Sequence, residues 1–150
     1  MRKISITLAA AVFAFAPLAA QTKPNFSGTW KVNVHKSDFG PFPTPAEGWA
    51  VKMDHHEPKI WTMLSDDPAK KHVIYTDGRE SRVESDELGQ MTITATWDKA
   101  TLVITSKYAE TKQTDRWVLS ADGKTWTSSR HLETPVGQGD LKHVYEKQEK

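Results

Sequence analysis

Cysteine is absent from the 150-residue chain, so no disulfide can staple it and no thiol can act as nucleophile, redox centre or metal ligand. A surplus of one charge is absent too. Twenty basic residues stand against 19 acidic ones, and without Arg2 and Lys3 the balance is 18 against 19. Capture of nucleic acid by counterion displacement needs a basic surplus, so nucleic acid is excluded as the expected partner. The chain also lacks a nucleophile elbow, a phosphate-cradling glycine loop, a dinucleotide fingerprint and a zinc-protease helix. Helical spacing of apolar residues is hard to find beyond residue 25. The 37% hydrophobic and 26% charged content otherwise fits one globular domain.

The one long apolar run is Ile4 to Leu18. Arg2 and Lys3 precede it, and Ala19-Ala20 and the polar Gln21-Thr22-Lys23-Pro24 follow, which is the order of a secretory signal peptide. The run is short against the ~20 apolar residues of a bilayer span, so a retained anchor is the weaker alternative. Cleavage after Ala20 divides the chain into a signal peptide, residues 1–20, and a mature domain, residues 21–150, that is periplasmic or secreted. No cysteine follows the leader to carry a lipid, and no stable membrane insertion is expected once the leader is removed. A domain of about 130 residues can bury roughly two-thirds of its surface without cross-links.

After the leader, apolar and polar residues alternate. The alternation predicts about nine strands: Gly28 to Val34, Trp49 to His55, Lys59 to Leu64, His72 to Thr76, Met91 to Trp97, Leu102 to Tyr108, Gln113 to Leu119, Trp126 to Leu132 and Leu141 to Tyr145. Glu57-Pro58, Asp77-Gly78, Lys99-Ala100 and Asp122-Gly123 are turn pairs suited to hairpins. Longer interruptions fall at Gly40 to Pro45 and at Glu84 to Gly89.

The C-terminal half permits a test of register. A loop at Lys99-Ala100 sets Trp97 opposite Leu102, Ala95 opposite Ile104, Ile93 opposite Ser106 and Met91 opposite Tyr108. Closing the next hairpin at Glu110-Thr111 sets Tyr108 opposite Gln113, Ser106 opposite Asp115, Ile104 opposite Trp117 and Leu102 opposite Leu119. Asp122-Gly123 then sets Leu119 opposite Trp126, Trp117 opposite Ser128 and Asp115 opposite Arg130. Beyond a loop from Pro135 to Gly139, His143 and Tyr145 fall beside Arg130 and Ser128. A glycine-bulge turn over Ala121-Asp122-Gly123 is the alternative. It would move Arg116 and Val118 inward, and the first register is preferred because it buries Trp117 and Leu119, roughly 1.5 to 3 kcal/mol each.

One face therefore carries Trp97, Leu102, Ile104, Trp117, Leu119 and Trp126 at one end, and Ser106, Tyr108, Gln113, Asp115, Ser128 and Arg130 at the other. The opposite face is rich in threonine, as at Thr92, Thr94, Thr96 and Thr105, which suits water and not the lipid side of an outer-membrane barrel. A sheet of this size buries its apolar face by curling on itself. The expected fold is all-β: an antiparallel up-and-down β-barrel of about 8–10 strands, able to enclose one small ligand.

Phe26-Ser27-Gly28-Thr29-Trp30-Lys31-Val32 resembles the opening of fatty-acid-binding proteins and of the broader lipocalin-like, or calycin, superfamily, in which Gly-x-Trp begins the first barrel strand. The resemblance is nearest to bacterial lipocalin-like secreted proteins of unassigned ligand. It implies that Trp30 plugs one barrel end and that Gly28 lets the chain pass close beneath it. Two departures stand out. The helical lid of fatty-acid-binding proteins falls where Pro41, Pro43 and Pro45 discourage helix, and the Arg-x-Tyr carboxylate site is replaced by His143-Val144-Tyr145.

The candidate ligand-binding residues are Arg130, Tyr108, Tyr145, Ser128, Asp115, Trp117 and His143. Arg130 can hold a carboxylate bidentately, worth about 1.5–3 kcal/mol, or form a structural ion pair with Asp115. Asp54-His55-His56-Glu57 has metal-ligand residue types, but adjacent histidines point to opposite faces and no second short-spaced pair accompanies them, so no metal and no cofactor is expected. No catalytic residue is assigned, although a Ser/His/Asp set drawn from distant strands stays open. Trp49 and Trp61 are candidates for exposed stacking surfaces, and Phe39 and Phe42 for covers of the barrel mouth. The expected partner is a small hydrophobic molecule, in one form acidic at the end near Arg130. The alternatives are an envelope interaction module with a filled barrel and a barrel enzyme acting on a hydrophobic substrate.

Overall fold

Two-residue alternation turns one side of nearly every strand toward a common interior. The computed structural model describes residues 22–64, 71–85 and 88–149; the signal peptide expected over residues 1–20 lies outside them. Among the described residues ten strands form: β1 (Gly28–Val32), β2 (Ala50–His56), β3 (Lys59–Met63), β4 (Lys71–Tyr75), β5 (Ser81–Ser85), β6 (Gly89–Asp98), β7 (Thr101–Tyr108), β8 (Thr111–Leu119), β9 (Thr125–Thr134) and β10 (Gly137–Lys147). They make one sheet in the order β4-β3-β2-β1-β10-β9-β8-β7-β6-β5. Every neighbouring pair is antiparallel, and β1 pairs with β10 through Trp30 and Lys147 and through Val32 and Tyr145. The result is the expected all-β barrel, nearly closed, with ten strands where the sequence suggests about nine.

The additional strand is β5, and it explains why Asp77-Gly78 is not a hairpin turn. β4 and β5 are the two edges of the sheet and share no ladder. The chain leaving β4 crosses this seam and bonds to β6: Asp77 bridges Thr96, and the Gly78 N–H donates to the Ala95 carbonyl at 2.9 Å. β5 then runs along β6, with Ser81 opposite Ile93.

At one end of the barrel the interior is filled with rings. Phe26, just before β1, and Trp30 are both fully buried. The Trp30 indole N–H donates to the Phe26 carbonyl at 2.9 Å, and Trp126 meets Trp30 edge-on at 6.1 Å. Trp117 packs against Trp126 at 4.6 Å, and Tyr145 stacks on Trp126 at 3.9 Å. Trp30 thus occupies the place that the family resemblance implies. Gly28 has φ +138°, a conformation L side chains rarely adopt, and a Cβ there would come within 2.7 Å of Lys147 Cε. The Lys147 Nζ itself lies 5.4 Å over the Trp30 ring.

At the other end, among the described residues, the segment after β1 forms only a short 3-10 turn, Val34–Lys36. Its continuation is sewn to β10 by paired backbone bonds between Asp38 and Lys142, 2.7 and 2.8 Å. Phe39 is buried there, against Trp49 and His143, whereas Phe42 is exposed. No lid of two helices covers this mouth among the described residues.

The β6–β7 and β8–β9 registers are those expected, including Trp97 opposite Leu102 and Asp115 opposite Arg130. The β7–β8 and β9–β10 hairpins each differ by two residues. Tyr108 pairs with Thr111, Ser106 with Gln113, Ile104 with Asp115 and Leu102 with Trp117, because the turn is Ala109-Glu110, with Ala109 at φ 46°. Thr134 pairs with Gly137 across Pro135-Val136, so His143 stands opposite Ser128 and Tyr145 opposite Trp126. A two-residue step preserves the face of every side chain, and the interior keeps its predicted membership.

Candidate functional site

Above the aromatic floor the barrel holds a cavity of about 380 Å³. Trp117, Trp126, Ile104 and Ile93 reach it from β6 to β9; Val51, Met53 and Ile74 close the opposite wall from β2 and β4. Most of its polar groups lie on β8, β9 and β10, with Ser106 added from β7, Thr62 from β3 and His72 from β4. Of the seven predicted residues, Arg130, Tyr145, Ser128, Asp115, Trp117 and His143 line it. Tyr108 does not: at the β7–β8 turn it is half-buried beside Met91 and Thr111.

Asp115 organises the polar wall. Its side chain is only 5% exposed, and it accepts from Arg130 Nε at 2.8 Å, from the Ser128 hydroxyl at 3.1 Å and from Gln113 Nε2 at 2.6 Å. A buried carboxylate with this many donors is held in place. Arg130 is 30% exposed and uses only Nε in this network. Its two Nη nitrogens make no hydrogen bond among the described residues. The Ser128 hydroxyl turns its proton toward Asp115 and not toward His143, so these three residues are not arranged as nucleophile, base and orienting acid.

His143 sits between Phe39 and Trp49, with ring centroids 5.0 and 5.4 Å away. Burial lowers its pKa, and the Arg130 charge lowers it further, against an opposing pull from Asp115. Burial pushes the Tyr145 hydroxyl up to about 12. Two buried polar atoms have no partner among the described residues, Trp126 Nε1 and His143 Nε2, and both side chains line the cavity.

Below the aromatic floor lies a second polar cluster. Glu57 accepts from Thr76 Oγ1 at 2.8 Å, Trp97 Nε1 at 2.9 Å, His55 Nε2 at 3.0 Å and Lys23 Nζ at 3.2 Å. Burial raises its pKa, but these four bonds together outweigh it and leave the carboxyl below its ordinary value. His55 is 2% exposed and His56 81%, so the adjacent histidines do point to opposite faces. Among the described residues no group of three or more His, Asp or Glu side chains is placed to hold a metal.

The contribution to the cavity of Trp49, just before β2, and of Met53, Thr62, His72 and Ile74 on β2 to β4 is missed by a reading centred on the C-terminal half. The alternation through Val51, Met53 and His55 carries that signal. Trp61 lies outside the cavity, half-buried, with Lys71 Nζ 4.5 Å from its ring centroid.

A ten-stranded, nearly closed antiparallel barrel around an internal cavity, plugged below by a tryptophan of the first strand, defines the lipocalin-like, or calycin, fold. The solved structures that this chain resembles share it. A zebrafish ileal bile acid-binding protein complexed with cholic acid superposes with a TM-score of 0.60 at 14% identity, covering 82% of this chain and 98% of that one. A SAHS (abundant heat soluble) protein from Ramazzottius varieornatus gives 0.62 at 12%, covering 87% and 100%. A mutant of the fluorescent protein UnaG gives 0.59 at 10%, covering 83% and 97%. No protein-family model and no curated protein matches the sequence. At these identities the likeness is one of fold.

Proposed function

We propose that this chain is a secreted or periplasmic binding protein that holds one small, largely hydrophobic molecule inside its barrel. The observation that carries the reading is the cavity: about 380 Å³, with an aromatic floor, largely aliphatic walls and most of its polar groups on β8 to β10. That volume is at the small end of small-molecule sites, which run about 300–1,000 Å³. The zebrafish protein of similar fold, whose structure contains cholic acid, lends support. An acidic head on the ligand would meet Arg130, whose Nη nitrogens are unoccupied by described residues.

In this reading residues 1–20 are removed as a signal peptide and residues 21–150 form the mature barrel. Native mass spectrometry of the protein purified from its producing cells, with solvent extraction, tests the binding role. A co-purifying apolar molecule at one per chain is expected. An empty chain that also fails to take up apolar probes would favour a filled barrel acting through its loops. N-terminal sequencing of the mature protein and cell fractionation test the address, with Gln21 expected as the first residue.

A further inference from the structure

Resting on the binding reading above, we propose that the ligand is a single-chain amphiphile with an anionic head, held with its tail on the aromatic floor and its head toward the mouth. The turns of an antiparallel barrel alternate between its two ends. Those joining β2 to β3, β6 to β7 and β8 to β9 lie at the plugged end, and those joining β7 to β8 and β9 to β10 at the mouth. Inward positions can therefore be ordered from plug to mouth along each strand. On β8, Trp117 lies on the plug side of Asp115 and Gln113; on β9, Trp126 lies on the plug side of Ser128 and Arg130. The opposite wall repeats the order, with Ile74 on the plug side of His72 on β4. The other strands that give the cavity a polar side chain, β3, β7 and β10, follow it too. Apolar side chains also reach the mouth, Leu64 and Trp49 among them, but polarity begins only above the floor.

Arg130 supplies the charge for the head. Its Nε is held by Asp115, which fixes the guanidinium, while its two Nη nitrogens make no hydrogen bond among the described residues. Asp115 is itself occupied by Arg130, Ser128 and Gln113, so the pair offers the ligand donors more than acceptors. A carboxylate or phosphate can take both Nη nitrogens at once in a charge-assisted contact. The arginine is 30% exposed, so a head placed there stays in touch with water. The reverse placement would set the charge against Trp117 and Trp126, where no acidic or basic side chain lines the cavity and the Trp126 Nε1 is covered. An ion there would lose its hydration without a partner. A free alkyl acid and a lysolipid with an anionic head share the required chemistry.

Brominated acids test the orientation, because bromine quenches tryptophan emission on contact. Trp49→Phe keeps a ring beside Phe39 and leaves Trp117 and Trp126, both on the floor, as the tryptophans lining the cavity among the described residues. In this variant 12-bromododecanoate is expected to quench strongly and 2-bromododecanoate weakly. In the native sequence, Arg130→Met is expected to weaken 12-bromododecanoate binding about tenfold. The same change should leave methyl decyl ketone, which brings no charge to the guanidinium, unaffected. Displacement by dodecanoate but not by a lysophosphatidylglycerol of the same chain would assign the ligand to free alkyl acids; displacement by both, to lipids whose head remains outside. Stronger quenching by 2-bromododecanoate, or equal quenching by both, would overturn the orientation and leave the binding reading standing. An unchanged affinity in Arg130→Met would overturn the anionic head. If neither the acids nor the ketone binds, the binding reading fails and this proposal with it.

Discussion

His55 and Glu57 are locked together by the backbone of a third residue. The Phe26 N–H donates to His55 Nδ1 at 3.1 Å, so that nitrogen carries no proton, and the imidazole's N–H is on Nε2, 3.0 Å from Glu57 Oε1. The N-terminal plug of the barrel and the β2–β3 turn are therefore joined through one tautomer and one carboxylate. Four consequences for stability follow from the two polar clusters, the face assignment and the burial of Tyr145, and they can be measured separately.

The Glu57 carboxyl is held below its ordinary value of 4.5 by hydrogen bonds that exist only in the folded chain. The unfolded chain takes up the proton first as pH falls. The contribution of Glu57 is thus fully present above about pH 4.5 and lost as pH drops through the lower folded value. Urea denaturation at a series of acid pH values should show a steeper loss for the native sequence than for Glu57→Gln. Parallel acid limbs would mean that the four bonds do not persist in solution.

The face assignment predicts opposite outcomes for two residues on neighbouring strands. Leu102 is fully buried and Val118 is 46% exposed. Leu102→Ala should destabilise by about 2–5 kcal/mol, whereas Val118→Ala should stay within about 0.5 kcal/mol. Comparable losses at both sites would contradict the assignment of inner and outer faces on β7 and β8.

Asp115 and Arg130 should not respond equally. Asp115→Ala strips an acceptor from Arg130, Ser128 and Gln113 at once and should cost about 2–3 kcal/mol, tempered because Arg130 is partly open to solvent. Arg130→Met leaves Asp115 with the Ser128 and Gln113 bonds and should cost less. A larger loss for Arg130→Met in thermal denaturation would show that the arginine, and not the carboxylate, anchors the wall.

Tyr145 titrates late, at about 12 against an ordinary 10.0, because its ring is desolvated on the Trp126 face. The folded chain holds this proton more tightly than the unfolded one, so its contribution is complete below about pH 10 and is lost as pH rises toward 12. Ultraviolet difference titration should find a late step that is absent from Tyr145→Phe. A titration unchanged by Tyr145→Phe at high pH would place Tyr145 in contact with solvent.

The sequence carries the interior face more firmly than the pairing of strands. Alternation decides which residues turn inward, and Leu102, Ile104, Trp117 and Trp126 are all buried as it requires. Pairing depends on where a turn sits, and Ala109-Glu110 and Pro135-Val136 each tighten a hairpin by two residues without disturbing that face. Strand β5 is hard to see because Ser81, Arg82, Glu84 and Ser85 surround a single valine, Val83; its inward Ser81 is polar. The polar wall is legible because Asp115 and Arg130 sit directly opposite each other in a two-strand register. The Glu57 cluster is not, since it joins Lys23, His55, Thr76 and Trp97 only once the barrel has closed.

The most direct test of an occupied interior is titration of the purified protein with N-phenylnaphthylamine, an uncharged fluorophore that brightens in apolar surroundings. The account predicts saturation at one equivalent per chain, quenching of the tryptophan emission from Trp117 and Trp126, and displacement by methyl decyl ketone. A linear, non-saturating signal with unchanged tryptophan emission would contradict it.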